Sequence, residues 1–412
     1  MGLMKRILME EQERGYSHSD KYVCTSCFGD LYIQKYIRNN GYLGHCSFCK
    51  KDSRKTLKLE KLMPVIMEGI KQEYLLANGN DHWDTEEQSY DGSVIDHDDF
   101  IEALNEYLMC KNQEVLEELS KIIAPEFHVP ADEFITRQEE HDMEEWVKYK
   151  KLVKNSIFSP EQIVTLCKKD DAPKDLKEIR HCLEKVLYYV KEMNMTSIIR
   201  PNTKIFRCVN HLDYNKTPGG FSYIPATSIG TAPADHSNHG RMNVCGDAMF
   251  YGAFCKELAM IEVGKNEDKG KENFPATIGC FHTNKRFKIL DISDVSDKKC
   301  PSLFDIPHKN ERSIWFFLKK FIEEISAYSN GGDDYKPTQV FAKYIQEGWK
   351  FNGIQYRSSR ANKKIINKKC IVLFVLNRDC LDMTDKVNKK RAQLIMEDNP
   401  EQCIFVDEQI QL

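Results

Sequence analysis

Near residue 195 the hydrophobic pattern changes period, and that change sets what the chain can fold into. From about Thr56 to Val190 apolar residues recur at three-and-four spacing, as in "LEKLMPVIMEGIKQEYLL", "DDFIEALNEYLMCKNQEVLEELSKII" and "DLKEIRHCLEKVLYYVKEM". That spacing predicts amphipathic helices, and Asp98 and Asp99 stand in N-terminal capping range of the second. After "NMTSIIRPNTKIFRCV" the apolar runs become short and are bounded by turn residues: "TKIFRCV", "AMFYGA", "ATIGCF", "RFKILDI", "GIQYRSS" and "KCIVLFVL". These predict strands. Only "KELAMIEV", "RSIWFFLKKFIEEISAY" and "YKPTQVFAKYIQEGW" interrupt them as helices. A chain of 412 residues has room for two or three domains with their own cores. The segment holds no G-x-G-x-x-G and no G-x-x-x-x-G-K-[ST], so neither glycine-rich phosphate cradle is available and a doubly wound dinucleotide fold is excluded.

Ahead of the helices, "YVCTSCFGDLYIQKYIRNNGYLGHCSFCKK" holds Cys24-x-x-Cys27 and Cys46-x-x-Cys49. Each pair can place two sulfurs on adjacent corners of a tetrahedron from one tight turn, with Gly44 and the Phe28-Gly29 step supplying backbone freedom. Four protein ligands leave no position for a catalytic water, so the expected ion is a structural zinc. His45 adjoins the second pair as an alternative ligand. The other cysteines among the 15 are scattered, and the N-terminus carries no secretory pattern. No apolar run approaches the ~20 residues of a membrane span. The expectation is a cytoplasmic, soluble protein with free or metal-bound thiols.

A net charge of -4 from 59 basic and 63 acidic residues offers no global attraction for nucleic acid or anionic lipid. Two local runs depart from that balance. "NGNDHWDTEEQSYDGSVIDHDD" has eight carboxylates and no lysine or arginine, and reads as a solvated loop. "CKKDSRKTLKLEK" is basic and is the best support for a zinc-knuckle nucleic-acid-binding protein, against the plainer reading of a solvated linker.

The chemistry is concentrated in the strand-rich part. Arg207 in "IFRCV" and Arg241 in "GRMN" offer two guanidinium forks, a pair able to hold a diphosphate bidentately without a glycine-rich loop. Tyr251 in "AMFY" can present a ring to a base or nicotinamide. Glu262, eleven residues on, can hold a ribose hydroxyl or stabilise an oxocarbenium-like carbon. Ser358 and Ser359 in "GIQYRSSR" stand at a strand end, where a hydroxyl can orient the glutamate.

In that order these residues resemble the RES domain family, named for its arginine, glutamate and serine. The resemblance runs from about Ile199 to Leu376. "IFRCV" is similar to the family's opening strand. "GRMNVCGDAMFYGAFCKELAMIEV" is similar to its G-R-W-N segment, tyrosine and following helix; "YKPTQVFAKYIQEGWKFNGIQYRSS" is similar to its P-T-Q helix and G-I-x-Y-x-S strand; "NKKCIVLF" is similar to its terminal strand. Met242 stands where the family usually has tryptophan, and Gly252 followed by "FCKEL" replaces a smaller, more polar run. The resemblance implies an ADP-ribosyltransferase-like mixed α/β domain that consumes NAD by cleaving the nicotinamide-ribosyl bond, as a toxin or defence effector. It further implies Glu262, Arg207 and Ser358 as catalytic residues, and Arg207, Arg241, Tyr251 and Ser358 as NAD-binding residues. The helical part resembles the HEPN extension of some RES proteins. HEPN ribonucleases use an arginine and a histidine four to six residues apart on one helix; the candidate here, Arg137 with His141, is separated by three residues without a polar residue convincingly placed between, so a regulatory or docking role is expected there.

The sequence therefore predicts an α+β chain: a four-cysteine zinc ribbon (1-55), a HEPN-like helical domain (56-195) and a RES catalytic domain (196-412). NAD is the expected substrate, with water, phosphate or a protein side chain as acceptor. An ADP-ribosyltransferase acting on a protein is the alternative enzyme. The expected protein partner is a neutralising antitoxin or regulatory protein; no membrane and no nucleic acid partner is expected, and a homo-oligomer is compatible.

Overall fold

The alternation of apolar residues that predicts strands after residue 195 produces one large mixed sheet in the computed structural model. It describes residues 3-411 except 78-82, 85-88, 91-93, 127, 132-136, 211-224, 238, 265-273, 294, 296-297, 327-331, 362-364, 386-389, 399 and 407-408. Most of the acidic run 78-99 lies outside the described residues. By its internal contacts the chain divides into two units, one of residues 1-141 with 300-316, the other of residues 142-299 with 317-412.

In the first unit, strands Tyr22–Cys24, Arg54–Lys58 and Tyr42–Gly44 form a small antiparallel sheet with Arg54–Lys58 in the middle. Helix Leu31–Asn40 follows the first strand, started by Asp30, whose carboxylate accepts the Ile33 N–H at 2.8 Å. Helix Leu59–Ile70 buries Leu62, Met63, Ile66 and Ile70. Gly69 on this helix is required by packing, because a Cβ there would come within 2.5 Å of the Phe304 ring. Leu303 and Phe304 thus belong to this unit's core although they lie more than 200 residues downstream.

The long segment 98-123 is two helices, His97–Leu108 and Gln113–Ile122. The break is Met109, left-handed at φ 50°, whose N–H still bonds to Asn105 O at 2.8 Å. The capping residue of the first helix is Asp96, which accepts the Asp99 N–H at 3.0 Å; Asp98 and Asp99 sit in the first turn instead. The expected helix 59-76 ends at Ile70, and Tyr74–Leu76 is a short strand paired with His128–Pro130.

In the second unit, eleven described strands make the sheet. Its central order is Leu394–Met396, Phe274–Thr283, Lys204–Asn210, Phe250–Ala253, Lys369–Leu373, Gly353–Arg357, Phe287–Asp291 and Thr196–Ile199. All six strands predicted from residue 203 onward are present. Period-two alternation gives the sheet two apolar faces. Ile205, Phe250, Phe281, Ile371 and Leu373 pack on one; Cys208, Ala253, Ala276, Ile278 and Cys370 pack on the other, under Leu258, Ala259 and Met260 of helix Lys256–Gly264.

Helices Gln138–Asn155, Pro160–Cys167 and Lys174–Glu192 precede the sheet. The middle one is started by a full capping box between Ser159 and Gln162, with Pro160 in its first turn, and packs on helix Lys336–Gly348. Trp146 stacks on Tyr149 at 4.6 Å and meets Phe321 edge-on at 4.8 Å, while the buried Tyr149 hydroxyl donates to Pro337 O at 2.8 Å. These contacts fix the start of the Lys336–Gly348 helix, which supports the loop carrying Arg241. Among the described residues no helix is long and apolar enough to cross a membrane.

Candidate active site

Strand pairing brings the five residues picked out of the sequence into one connected set. Arg207 lies on the central strand Lys204–Asn210 and is half-buried. Its Nε donates to Ile229 O and its Nη1 to Tyr251 O, both at 2.7 Å, and the guanidinium carbon sits 5.4 Å from the Phe250 ring centre. Burial draws the Arg207 pKa below the ordinary arginine value. Arginine keeps its charge in proteins, and two carbonyl oxygens accept hydrogen bonds from this guanidinium. Two of its nitrogens are therefore engaged by the backbone.

Tyr251 is on the neighbouring strand. Its hydroxyl donates to Asn243 Oδ1 at 2.8 Å and accepts the Met242 N–H at 3.1 Å. Burial pushes its pKa up to about 12, so it stays a neutral phenol near pH 7. These bonds hold the turn that presents Arg241. Gly240 N–H closes the turn on Asn243 O at 2.9 Å, and a Cβ at Gly240 would lie 2.8 Å from the Tyr251 hydroxyl. The glycine before the arginine is thus a packing requirement.

From the other side, Gln339 Nε2 donates to Gly240 O and Asn243 O, both at 2.9 Å, and Thr338 Oγ1 donates to Arg241 O at 2.6 Å. Met242, in the usual tryptophan position, is buried.

Arg241 carries its guanidinium 5.9 Å from the ring centre of Tyr356. Burial raises the Tyr356 pKa well above that of a free phenol, with Glu262 adding to the rise and Arg241 opposing it. Burial likewise raises the Cys370 thiol, with the same two charges acting on it in the same senses. Tyr356 and Cys370, opposite one another in the strand register, thus both feel the Glu262 and Arg241 charges.

Ser358 stands at the end of strand Gly353–Arg357 and is buried. Its hydroxyl donates to Glu262 Oε1, and the Arg360 N–H donates to Ser358 Oγ at 3.1 Å. With the backbone donor on its lone pair, the hydroxyl proton is directed at the carboxylate. Arg360 Nη1 also donates to Glu262 O at 2.7 Å, placing a cation at the C-terminal end of the Lys256–Gly264 helix. Ser359, the alternative hydroxyl, is exposed.

Asn243, Thr338, Gln339, Tyr356 and Arg360 were not singled out from the sequence. The P-T-Q and G-I-x-Y-x-S patterns contain three of them, so the signal was present, but side chains that support backbone atoms nearly a hundred residues away leave no local pattern.

The four cysteines form a second candidate site, in the first unit. Cys24 and Cys27 sulfurs are 3.8 Å apart, Cys24 and Cys49 3.5 Å, and Cys27 and Cys46 3.6 Å. Tetrahedral coordination at the usual zinc-sulfur length requires neighbouring sulfurs ~3.8 Å apart, so the donors fit a zinc ion without rearrangement. The hydrogen bond from Cys27 draws the Cys46 thiol below the usual cysteine range. His45 is turned away, with Nδ1 2.8 Å from Asp52 Oδ1, and is not part of the cluster. Of the HEPN-like pair, Arg137 Nη2 is 2.8 Å from Glu73 Oε2 and His141 is exposed, so the arginine is committed to an ion pair.

A family profile described as the RES domain matches residues 204-394, and one described as HEPN/RES N-terminal domain 1 matches residues 39-159. No curated protein matches the chain. Among solved structures, a chain from "Crystal structure of the M.tuberculosis MbcT-MbcA toxin-antitoxin complex" is similar at 11% identity and a TM-score of 0.29, covering 54% of this chain and 93% of that chain.

Proposed function

The chain carries a RES domain behind a HEPN/RES N-terminal domain, and on that premise we propose that it consumes NAD by breaking the bond between nicotinamide and ribose. The observation that carries the reading is the Ser358–Glu262 hydrogen bond beside Arg241 and Tyr356, on one face of the sheet. In this reading Glu262 holds negative charge beneath the ribose carbon as positive charge develops there. Ser358, itself buried, fixes the carboxylate's orientation. Arg241 grips the diphosphate, with Arg207 adding positive potential from behind Tyr251. The Tyr251 ring lies beside nicotinamide while its hydroxyl holds the 240-243 turn. Nicotinamide leaves with the bonding electron pair, and the oxygen of water, phosphate or a protein side chain closes on the ribose carbon.

The biological setting proposed from the family resemblance is a toxin or defence effector restrained by an antitoxin or regulatory protein. Cys24, Cys27, Cys46 and Cys49 would hold a structural zinc, which supplies cross-linking of the N-terminal sheet and no reaction chemistry.

The reading is tested by incubating the purified full chain with NAD in buffers with and without phosphate, and measuring NAD loss, free nicotinamide and ADP-ribose products. Nicotinamide release matching NAD loss supports it; the accompanying product is free ADP-ribose for water, its 1″-phosphate for phosphate, and labelled polypeptide for a protein acceptor. Intact NAD under all conditions, with the protein folded, rejects it.

A further inference from the structure

The antiparallel pairing of strands Phe274–Thr283 and Leu394–Met396 sets His282 opposite Ile395 and Phe281 opposite Met396. The next pair in that register is Cys280 with Glu397, and Glu397 N–H bonds to Cys280 O at 2.8 Å. Cys280 and His282, two residues apart on one strand, point to the same face. The register therefore gathers a thiol, an imidazole and a carboxylate at one spot. All three are half-buried, and their ligand atoms lie within 4.8 Å of one another.

We propose that Cys280, His282 and Glu397 form a metal site distinct from the four-cysteine cluster, suited to a divalent transition-metal ion of intermediate softness such as zinc. One sulfur, one nitrogen and one oxygen donor match the mixed ligand preference of that ion. Three protein ligands leave one position for solvent, unlike the closed four-cysteine set. The carboxylate is ready: hydrogen bonding from His282 and the Lys204 ammonium hold its pKa down at about 2. Burial pushes the Cys280 thiol up to about 11, so binding at neutral pH exchanges the thiol proton for the metal and releases it to solvent.

The competing arrangement is a plain ion-pair group, in which Lys204 Nζ lies 3.0 Å from Glu397 Oε1 and His282 Nε2 contacts the same oxygen. That group accounts for His282 and Glu397. The Cys280 thiol also hydrogen-bonds to the Glu397 side chain, so without an ion all three groups converge on one carboxylate, and a metal ion would take the place of the protons they share. A bound ion would cross-link the short Leu394–Met396 strand to the long Phe274–Thr283 strand.

The test is metal content and Co2+ binding of the full-length protein after equilibration with each metal and removal of excess. Cys280→Ser, His282→Asn and Glu397→Gln should each bind one equivalent fewer than wild type, and wild type should lose by mutation a tetrahedral Co2+ spectrum with a single-thiolate charge-transfer band. Lys204→Ala keeps all three donors and removes a competing ammonium, so it should retain the full equivalent and bind Co2+ at least as tightly as wild type. Equal metal content in wild type and the three ligand variants would overturn the site. So would loss of the equivalent in Lys204→Ala with the donors intact, which would mark the group as an ion-pair cluster whose disruption acts through the fold. Should a ligand variant fail to fold, the wild-type spectrum decides: no component beyond that of an all-thiolate site rejects the proposal.

Discussion

Arg207 and Arg241 are both arginines on the same sheet, yet they are held differently. Arg207 has Nε and Nη1 bonded to Ile229 O and Tyr251 O, whereas Arg241 spreads over Tyr356. Arg207→Lys cannot satisfy two carbonyls with one ammonium in the same geometry, so it should cost stability, on the order of 1–3 kcal/mol, as well as NAD affinity. Arg241→Lys should leave the melting transition nearly unchanged and weaken NAD more than nicotinamide mononucleotide, which has one phosphate. Calorimetric melting and ligand titration of both variants separate the two roles; equal affinity losses for both ligands would withdraw the diphosphate assignment for Arg241. Gly240→Ala forces a Cβ against Asn243 Oδ1 and within 2.8 Å of the Tyr251 hydroxyl and should lower both stability and turnover, as thermal melting and NAD turnover of the variant would show. The five candidate residues could be picked out because their order along the chain resembles that of the RES family, and hydrogen bonds in the fold link Arg207 to Tyr251, Tyr251 to Met242 beside Arg241, and Ser358 to Glu262. Their supports could not: Gln339 acts on Gly240 and Asn243 through backbone oxygens, a contact that folding creates and no spacing announces.

At the scale of elements, period-two and three-and-four patterns located strands and helices well where apolar faces are buried, as in Phe274–Thr283 and Lys174–Glu192. They failed at the break near Met109, where a non-glycine residue takes a left-handed conformation that amino-acid type does not foretell. One short element carries a pH dependence. His128, in strand His128–Pro130, is stacked on Phe100 at 3.7 Å, and burial lowers its pKa to about 4. Its folded pKa is below the unfolded value, so the unfolded chain binds the proton first as pH falls. The neutral ring's contribution is whole above about 6.5 and is lost between that pH and about 4, a change of roughly 2–3 kcal/mol. Denaturant unfolding of the N-terminal unit at pH 7 and pH 4.5 should show this loss, and His128→Leu should flatten the slope; an unchanged slope in that variant would locate the effect elsewhere. The four-cysteine sheet is too small for a core of its own, and metal binding is folding free energy for such a unit. Chelation should make residues 1-55 protease-sensitive, and unchanged cleavage after metal loss would refute a structural zinc.

For the whole molecule, the change of period at residue 195 marked the start of the large sheet, and the α+β class follows from it. The division into units did not, because residues 300-316 pack with a core more than 200 residues upstream through Leu303 and Phe304, and long-range partnership of that kind has no local sign. The central claim is that the Glu262 carboxylate, oriented by Ser358, drives NAD cleavage. The direct measurement is initial-rate NAD turnover by wild type and Glu262→Gln, with circular dichroism and NAD binding confirming an intact fold and site. Gln keeps the shape and removes the charge, so kcat should fall by at least ~100-fold with little change in affinity. Turnover in Glu262→Gln close to that of wild type would contradict the account.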